Sequence, residues 1–265
     1  MSVTGDFYQF RDGEFHHVDD TLSETLTVAD SFLVENGRVR ELNRHFQRFA
    51  NSITDPAARR ELDGFFQAVT KQLPTTGAWF PRIEYRADLA KGEQFVLRIR
   101  EAPERTESVT LWSSDEPDPR KSPLIKGPDL AACQRLRRAA NLRGADEAVI
   151  ISSDGLIADG ALSSIMWWQD GALCAPDSST LWLPSITREL AFELARDAGY
   201  PTKETAAKPQ DLDGCEVWSL SSLQGIRYVS SWEGVRVAKP IHASSFRKRL
   251  GLLSTELSEI KRFIA

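Results

Sequence analysis

The sequence predicts a mixed α/β (α+β) chain in two parts, on three observations. Short β-prone runs bounded by glycine-containing turns alternate with amphipathic helical stretches along the whole length. A polar run with three prolines, from Ser114 to Pro123, interrupts that alternation. A length of 265 residues suits one large domain or two modest ones. The expected layout is a smaller N-terminal α/β domain over 1–113, a linker over 114–123 and a larger domain over 124–265.

Phe7 to Phe10, the turn Arg11-Asp12-Gly13 and Glu14 to Val18 read as a hairpin. Leu26 to Val34 is apolar and β-prone, and Asn36-Gly37 is a second hairpin turn. Leu42, Phe46, Phe49, Ala50 and Ile53 then fall on one helical stripe. Asp55-Pro56 caps the next helix, with Leu62, Phe65, Phe66 and Val69 on its buried face. Strands are expected at Arg82 to Ala87, Gln94 to Glu101 and Ser108 to Ser113. Beyond the prolines, Leu130 to Leu142 reads as a helix closed by Gly144. Strands follow at Ala148 to Ser152, Gly155 to Ile157, Ser164 to Trp168 and Ala172 to Cys174, with Asp-Gly turns between. Thr187 to Ala198 is a helix, Val217 to Leu220 and Ile226 to Val229 are strands, and Ser244 to Leu253 is a last helix.

A net charge of -5 argues against nucleic acid or an anionic membrane as the main partner. Met1 to Asp6 lacks a basic stretch followed by an apolar core, so no signal peptide is expected, and no apolar run reaches membrane-spanning length. Cys133, Cys174 and Cys215 are far apart and match no metal spacing, which fits three thiols in a reducing cytoplasm. His16-His17 lacks a further ligand, and no metal site is expected. Trp167-Trp168 reads as a packing surface of a sheet.

Three features carry chemistry. Leu124-Ile125-Lys126-Gly127-Pro128-Asp129-Leu130 brings one amine on an apolar approach to a turn and a helix. Ile157-Ala158-Asp159-Gly160 sets an acid in a hairpin, and Leu183-Pro184-Ser185-Ile186-Thr187-Arg188 opens an amphipathic helix. An amine for a Schiff base, a carboxylate for a pyridinium nitrogen and a helix N-terminus for a phosphate are what pyridoxal 5'-phosphate requires.

The string also resembles the class IV aminotransferases, the fold-type IV pyridoxal phosphate enzymes that include branched-chain and D-amino acid aminotransferases and aminodeoxychorismate lyase. The resemblance rests on five blocks in family order: Ser31 to Val34 with Asn36-Gly37 and His45-Phe46-Gln47-Arg48-Phe49; Lys126 with Gly144 to Ala148; Asp159 to Ser164; Leu183 to Arg188; and Ser221 to Ile226. It implies a two-domain fold with the cofactor between the domains and a homodimer. It also implies a small amino acid or 2-oxo acid as substrate.

Lys126 would then form the Schiff base and shuttle a proton, Asp159 would hold the pyridine nitrogen, and Ser185, Ile186, Thr187, Ser222 and Leu223 would face the phosphate, with Arg48 as its charged partner. The residues alone leave other readings open. Lys126 suits a solvated surface lysine, Asp159 a turn residue, Ser185 and Thr187 a plain helix cap, Ser222 a loop serine and Arg48 a solvated helix position. Arg98 and Arg100 share a strand face, suited either to a substrate carboxylate or to ion pairs, and Arg227 is a further carboxylate candidate.

The chain departs from the family pattern in four places: alanine at Ala29 where an aromatic residue is common, aspartate at Asp159 for glutamate, Ser185 for glycine and Ser164 for asparagine. Ala29 removes a side chain that shapes the substrate pocket. Three functions are weighed: an aminotransferase, an aminodeoxychorismate lyase-type elimination releasing pyruvate, and a non-catalytic relative that binds a phosphorylated ligand.

Overall fold

The computed structural model describes residues 5–19, 25–260 and 263. The expectation about Met1 to Thr4 lies outside them. In chain order the strands and helices are β1 (Asp6–Arg11), β2 (Glu14–Val18), β3 (Val28–Ser31), β4 (Val34–Glu35), β5 (Arg38–Arg40), α1 (Leu42–Asn51), α2 (Pro56–Gln72), β6 (Ala78–Trp79), β7 (Arg82–Tyr85), β8 (Phe95–Ile99) and β9 (Ser108–Ser113). There follow α3 (Leu130–Leu142), β10 (Glu147–Ile151), β11 (Ile157–Gly160), β12 (Ser164–Gln169), β13 (Ala172–Ala175), α4 (Ile186–Asp197), β14 (Thr202–Glu204), β15 (Glu216–Ser221), β16 (Gly225–Trp232), α5 (Ala243–Leu252) and β17 (Ser254–Glu256).

The chain forms two compact units: 1–104 with 125–128 and 253–265, and 105–124 with 129–252. This division differs from the expected one in three ways, the first being that 125–128 and 253–265, expected in the larger C-terminal domain, belong to the first unit. β9, expected in the N-terminal domain, pairs in parallel with β10 and β16 and so belongs to the second unit. The proline-rich segment is part of the second unit rather than a free linker. Ser114 N–H donates to Val149 O at 2.9 Å, and the Asp129 carboxylate accepts the backbone N–H groups of Lys121 and Ser122 at 3.0 and 2.7 Å.

In the first unit a five-stranded sheet, β2-β1-β8-β7-β3, and a four-stranded sheet, β17-β5-β4-β6, accompany α1 and α2. Strand alternation sends Ile83, Tyr85, Phe95 and Leu97 into a core with Phe46, Phe49, Phe65 and Phe66. Phe46 stacks on Phe66 at 4.2 Å and Phe65 on Phe95 at 4.8 Å. Asp55 caps α2 by accepting from Ala57 N–H at 2.8 Å, with Pro56 at the first helical position. The helical stripes read from the sequence are therefore the buried faces.

The second unit is built on an eight-stranded mixed sheet, β11-β10-β9-β16-β15-β12-β13-β14. One core gathers Trp167, Val217, Val229 and Trp232; another sets Leu136 and Ala140 of α3 on Ala148, Ile150 and Ala158. Trp168 stacks on His242 at 3.9 Å and meets Trp218 edge-on, so the tryptophan pair is packing, as its strand pattern implied. The strand expected at Gly155 to Ile157 lies instead at Ile157–Gly160, because Gly155 sits in a left-handed turn with φ +79°. β6, β14 and β17 are two or three residues long, too short to show a period in sequence. No helix among the described residues is long and apolar enough to cross a membrane.

Candidate active site

In the first unit, Lys126 lies in an irregular stretch against β3. Its carbonyl accepts the Ala29 N–H at 2.7 Å. Gly127 has φ +133°, and a Cβ there would lie 2.7 Å from the Ala29 nitrogen and 2.9 Å from the Val28 carbonyl carbon. Only glycine lets the two backbones approach so closely, and the approach fixes Lys126 in a half-buried position. The flanking Leu124 and Ile125 were expected to form a buried approach; they are exposed, 56% and 37%. Backbone contact, not apolar cover, anchors the stretch that carries Lys126.

Arg48 on α1 does not sit in solvent. It is clamped to Asp30, which β3 presents beside it: Nε donates to Oδ2 at 2.8 Å and Nη2 to Oδ1 at 2.7 Å. His45, one turn earlier, meets Asp30 Oδ1 through Nδ1 at 2.9 Å, and Ser31 N–H donates to the same oxygen at 2.7 Å. Asp30 is fully buried. Burial alone would raise its carboxyl, but Arg48 and His45 together outweigh that and hold it well below the usual carboxylate range. His45 is pushed down, chiefly by burial, with Arg48 and Lys126 acting in the same direction and Asp30 against. Asp30 and His45 were not among the expected site residues, although His45 stands in the first block of the family resemblance and Asp30 directly precedes it.

Arg98 and Arg100 lie on a crowded cationic face of the five-stranded sheet. Arg82 is directly opposite Arg98 in the β7–β8 register. Buried Glu84 accepts from Arg82 Nε at 2.6 Å and Arg86 Nε at 2.8 Å. Arg98 lies 4.9 Å over the Phe7 ring; Arg100 lies 4.9 Å over Phe80 and donates to its carbonyl at 3.0 Å. Burial, then Arg82 and Arg98, pulls Arg100 down to about 10. Ala29 and Ser31 sit opposite Glu84 and Arg82 on β3, so the small residue at Ala29 borders this face.

In the second unit, Asp159 is a strand residue and not a turn residue. It pairs with Ile150 in the β10–β11 register and is 4% exposed. Oδ2 accepts from Leu183 N–H at 3.0 Å and Arg120 Nη1 at 3.3 Å; Oδ1 accepts from Gly160 N–H at 3.1 Å. Burial pushes its carboxyl up to about 6 against the opposing pull of Arg120, the Leu183 N–H and Arg188. A carboxylate poised near neutrality suits exchange of a proton with a basic ring nitrogen.

Ser185 is the N-cap of α4, its Oγ accepting from Arg188 N–H at 3.3 Å, and Ile186 and Thr187 form the buried first turn. Arg188 itself is structural: it donates to Pro176 O and Glu204 and lies 3.7 Å over Trp182. Ser222 and Leu223 occupy the tip of the β15–β16 hairpin, closed by Ser221 pairing with Gly225. Arg227, on β16, is buried and donates to Ser219 Oγ at 3.4 Å. Burial lowers its pKa, and buried Glu147 offsets only part of that. Arg120, which sequence reasoning missed, sits in a segment whose prolines and charges signalled solvent.

Each unit carries groups of the kinds that pyridoxal phosphate needs: the first a lysine on a backbone-anchored stretch and a half-buried arginine, the second a buried acid and an α-helix N-terminus with a hydroxyl in its first turn. The comparisons with known proteins bear on the same class. The sequence model of the family described as Amino-transferase class IV matches residues 27–232, more than three quarters of the 265 residues. The chain belongs to that family.

The chain is 24% identical over 132 residues to the branched-chain-amino-acid aminotransferase of Escherichia coli (strain K12), a match covering 49% of this chain and 43% of that enzyme. It is 29% identical over 119 residues to the bifunctional aminodeoxychorismate lyase / D-amino acid transaminase of Mycobacterium tuberculosis (strain ATCC 25618 / H37Rv), covering 42% and 41%. The chain thus matches about two fifths of the length of each of these two relatives. The fold is similar to the pyridoxal phosphate-bound form of a hypothetical aminotransferase from Mycobacterium tuberculosis, with TM-score 0.77 and 18% identity over 96% of this chain and all of that one.

Proposed function

We propose that the protein is a pyridoxal phosphate-dependent aminotransferase acting on an amino acid and a 2-oxo acid, with the cofactor attached at Lys126. The observation that carries this is the contact of Gly127 and the Lys126 carbonyl with β3, which anchors half-buried Lys126 inside the family's matched span. The bound cofactor supplies an electron sink for the charge left when Cα loses its proton. Lys126 Nζ takes up and returns that proton. Asp159 holds a proton at the ring nitrogen, and Arg48, Ser185, Ile186, Thr187, Ser222 and Leu223 hold the phosphate. Arg98 and Arg100, among the arginines of the first unit's sheet, orient a substrate carboxylate, and Arg227 is a second candidate for that role. A homodimer is part of the proposal, measured by light scattering of the purified protein.

Two measurements test the assignment. The protein mixed with pyridoxal phosphate absorbs in the visible, and borohydride fixes the cofactor to the peptide that contains Lys126. Labelling at Lys121 instead, or no labelling, removes the assignment. A lyase is the second reading, favoured by the likeness to the bifunctional mycobacterial enzyme. Single-turnover product analysis separates them: conversion of the cofactor to its amine form marks a transaminase, and pyruvate released from aminodeoxychorismate with the starting form regenerated marks a lyase.

A further inference from the structure

Arg120 is buried, its side chain 5% exposed, and its guanidinium is divided among three partners. Nε and Nη2 reach the Asp118 carboxylate at 3.0 and 2.9 Å. Nη2 also donates to Leu181 O at 2.7 Å, and Nη1 donates to Asp159 Oδ2 at 3.3 Å. The Leu183 N–H reaches that same Oδ2. One guanidinium therefore ties the acid on β11 to the run 181–183 that leads directly into the N-cap of α4.

We propose that Arg120 is a positioning residue for the cofactor chemistry: it keeps Asp159 ionised at neutral pH and fixes its carboxylate, leaving Oδ1 with acceptor capacity for a ring nitrogen. This rests on the reading of Asp159 given above and deepens it. The argument is one of charge and acceptor count. A guanidinium stays protonated throughout the accessible pH range, and a cation beside a buried acid favours the ionised form. Oδ2 already takes two donors, whereas Oδ1 takes the Gly160 N–H, and a carboxylate oxygen accepts about two hydrogen bonds.

The other charged groups that bear on the pair have their own partners. Arg188, from α4, is held by Glu204 and by the Trp182 ring, and Asp118 shares Arg120. Cys133 of α3 also acts on Arg120. Burial alone drives Asp159 toward protonation; Arg120 is first among the groups that oppose it. A neutral acid in its place could not stabilise a protonated ring nitrogen.

The test is a carboxyl ¹³C titration of Asp159 in the cofactor-free full chain, assigned by comparison with Asp159→Asn. Arg120→Gln raises the midpoint by at least about one pH unit, the low end of what a neighbouring opposite charge contributes. Arg120→Lys, which keeps the charge, returns it most of the way. If Arg120→Gln cannot be recovered folded, Asp118→Asn decides: releasing Arg120 from its competing anion lowers the Asp159 midpoint. An Asp159 midpoint unmoved in Arg120→Gln, or in Asp118→Asn where that variant decides, overturns the proposal. Borohydride labelling at Lys126 does not depend on Asp159, so failure of the cofactor assignment appears there and failure of Arg120's role appears in the titration.

Discussion

Asp30 in the first unit and Asp159 in the second are both buried strand carboxylates with an arginine beside them, yet they titrate in opposite directions. Asp30 falls well below the ordinary range, while Asp159 is pushed up to about 6. Both suffer the cost of burial; they differ in what opposes it. Asp30 receives both arms of Arg48 within 2.8 Å, with His45 Nδ1 and a backbone N–H. Asp159 receives one arm of Arg120 at 3.3 Å, and that arginine spends its stronger contacts on Asp118. An acid clamped on two sides, by Arg48 and by His45, is an anchor; an acid whose nearest guanidinium is shared with another carboxylate titrates closer to neutrality.

The largest expected effect comes from breaking the anchor. Asp30→Asn leaves Arg48, whose side chain is 15% exposed, and His45 without their anion. Removing one partner of a buried pair costs about 3–5 kcal/mol, because the remaining charge stays desolvated. Denaturant unfolding at pH 7 measures it. The folded-state pKa of Asp30 is depressed, so this stability is present above the unfolded carboxylate range and fades as pH falls below about 4. A loss under about 1 kcal/mol at pH 7 places Arg48 outside the pair in solution.

Asp159→Asn has the opposite sign. A raised acid binds more protons folded than unfolded, so the wild type loses stability as pH rises from 3.8 through about 6. That interval at 1.36 kcal/mol per pH unit is about 3 kcal/mol, which the uncharged amide does not lose. The stability of Asp159→Asn relative to wild type therefore climbs between pH 4 and 7 and is flat above. The variant retains the cofactor through its other anchors and loses most turnover, since an amide does not favour the protonated ring. A flat difference across that window contradicts the raised pKa, and wild-type turnover contradicts the role at the ring.

Gly127→Ala tests the placement of Lys126. With φ +133° and the Ala29 nitrogen 2.7 Å from the new Cβ, the backbone must move. Strain of that kind costs about 1–3 kcal/mol, and borohydride labelling at Lys126 drops with it. Unchanged stability with full labelling means that β3 yields easily and the contact is not what fixes the lysine.

The same two aspartates show how far the sequence reaches. The helices were legible because their apolar stripes are their buried faces, as Phe46, Phe49, Phe65 and Phe66 demonstrate. The order of Lys126, Asp159 and Ser185–Thr187 was legible because each block carries local signals such as a cap or a glycine next door. Partners distant in sequence were not. Asp30 meets Arg48 across 18 positions and Arg120 meets Asp159 across 39, pairings set by strand order and not by any local period. Arg120 also hid in a segment whose prolines signalled solvent, and Leu124 and Ile125 suggested a buried approach where backbone contact does the placing.

The smallest effect separates two roles of one hydroxyl. Ser185 Oγ accepts from Arg188 N–H at 3.3 Å, which occupies it as the cap of α4. Replacing a serine cap by alanine costs about 1 kcal/mol, and by glycine only a few tenths. If Ser185 is a cap and the phosphate takes only backbone N–H groups from this turn, Ser185→Ala lowers stability without weakening cofactor retention beyond the loss of the helix start. Ser185→Gly, the residue that the family resemblance implies here, then keeps nearly full stability and holds the cofactor as well as wild type. Equilibrium dialysis of pyridoxal phosphate beside thermal unfolding separates the two quantities. A glycine variant that stays folded and releases the cofactor several-fold more readily shows that the hydroxyl itself reaches the phosphate, and Ser185 then joins Thr187 and Ser222 as a side-chain donor.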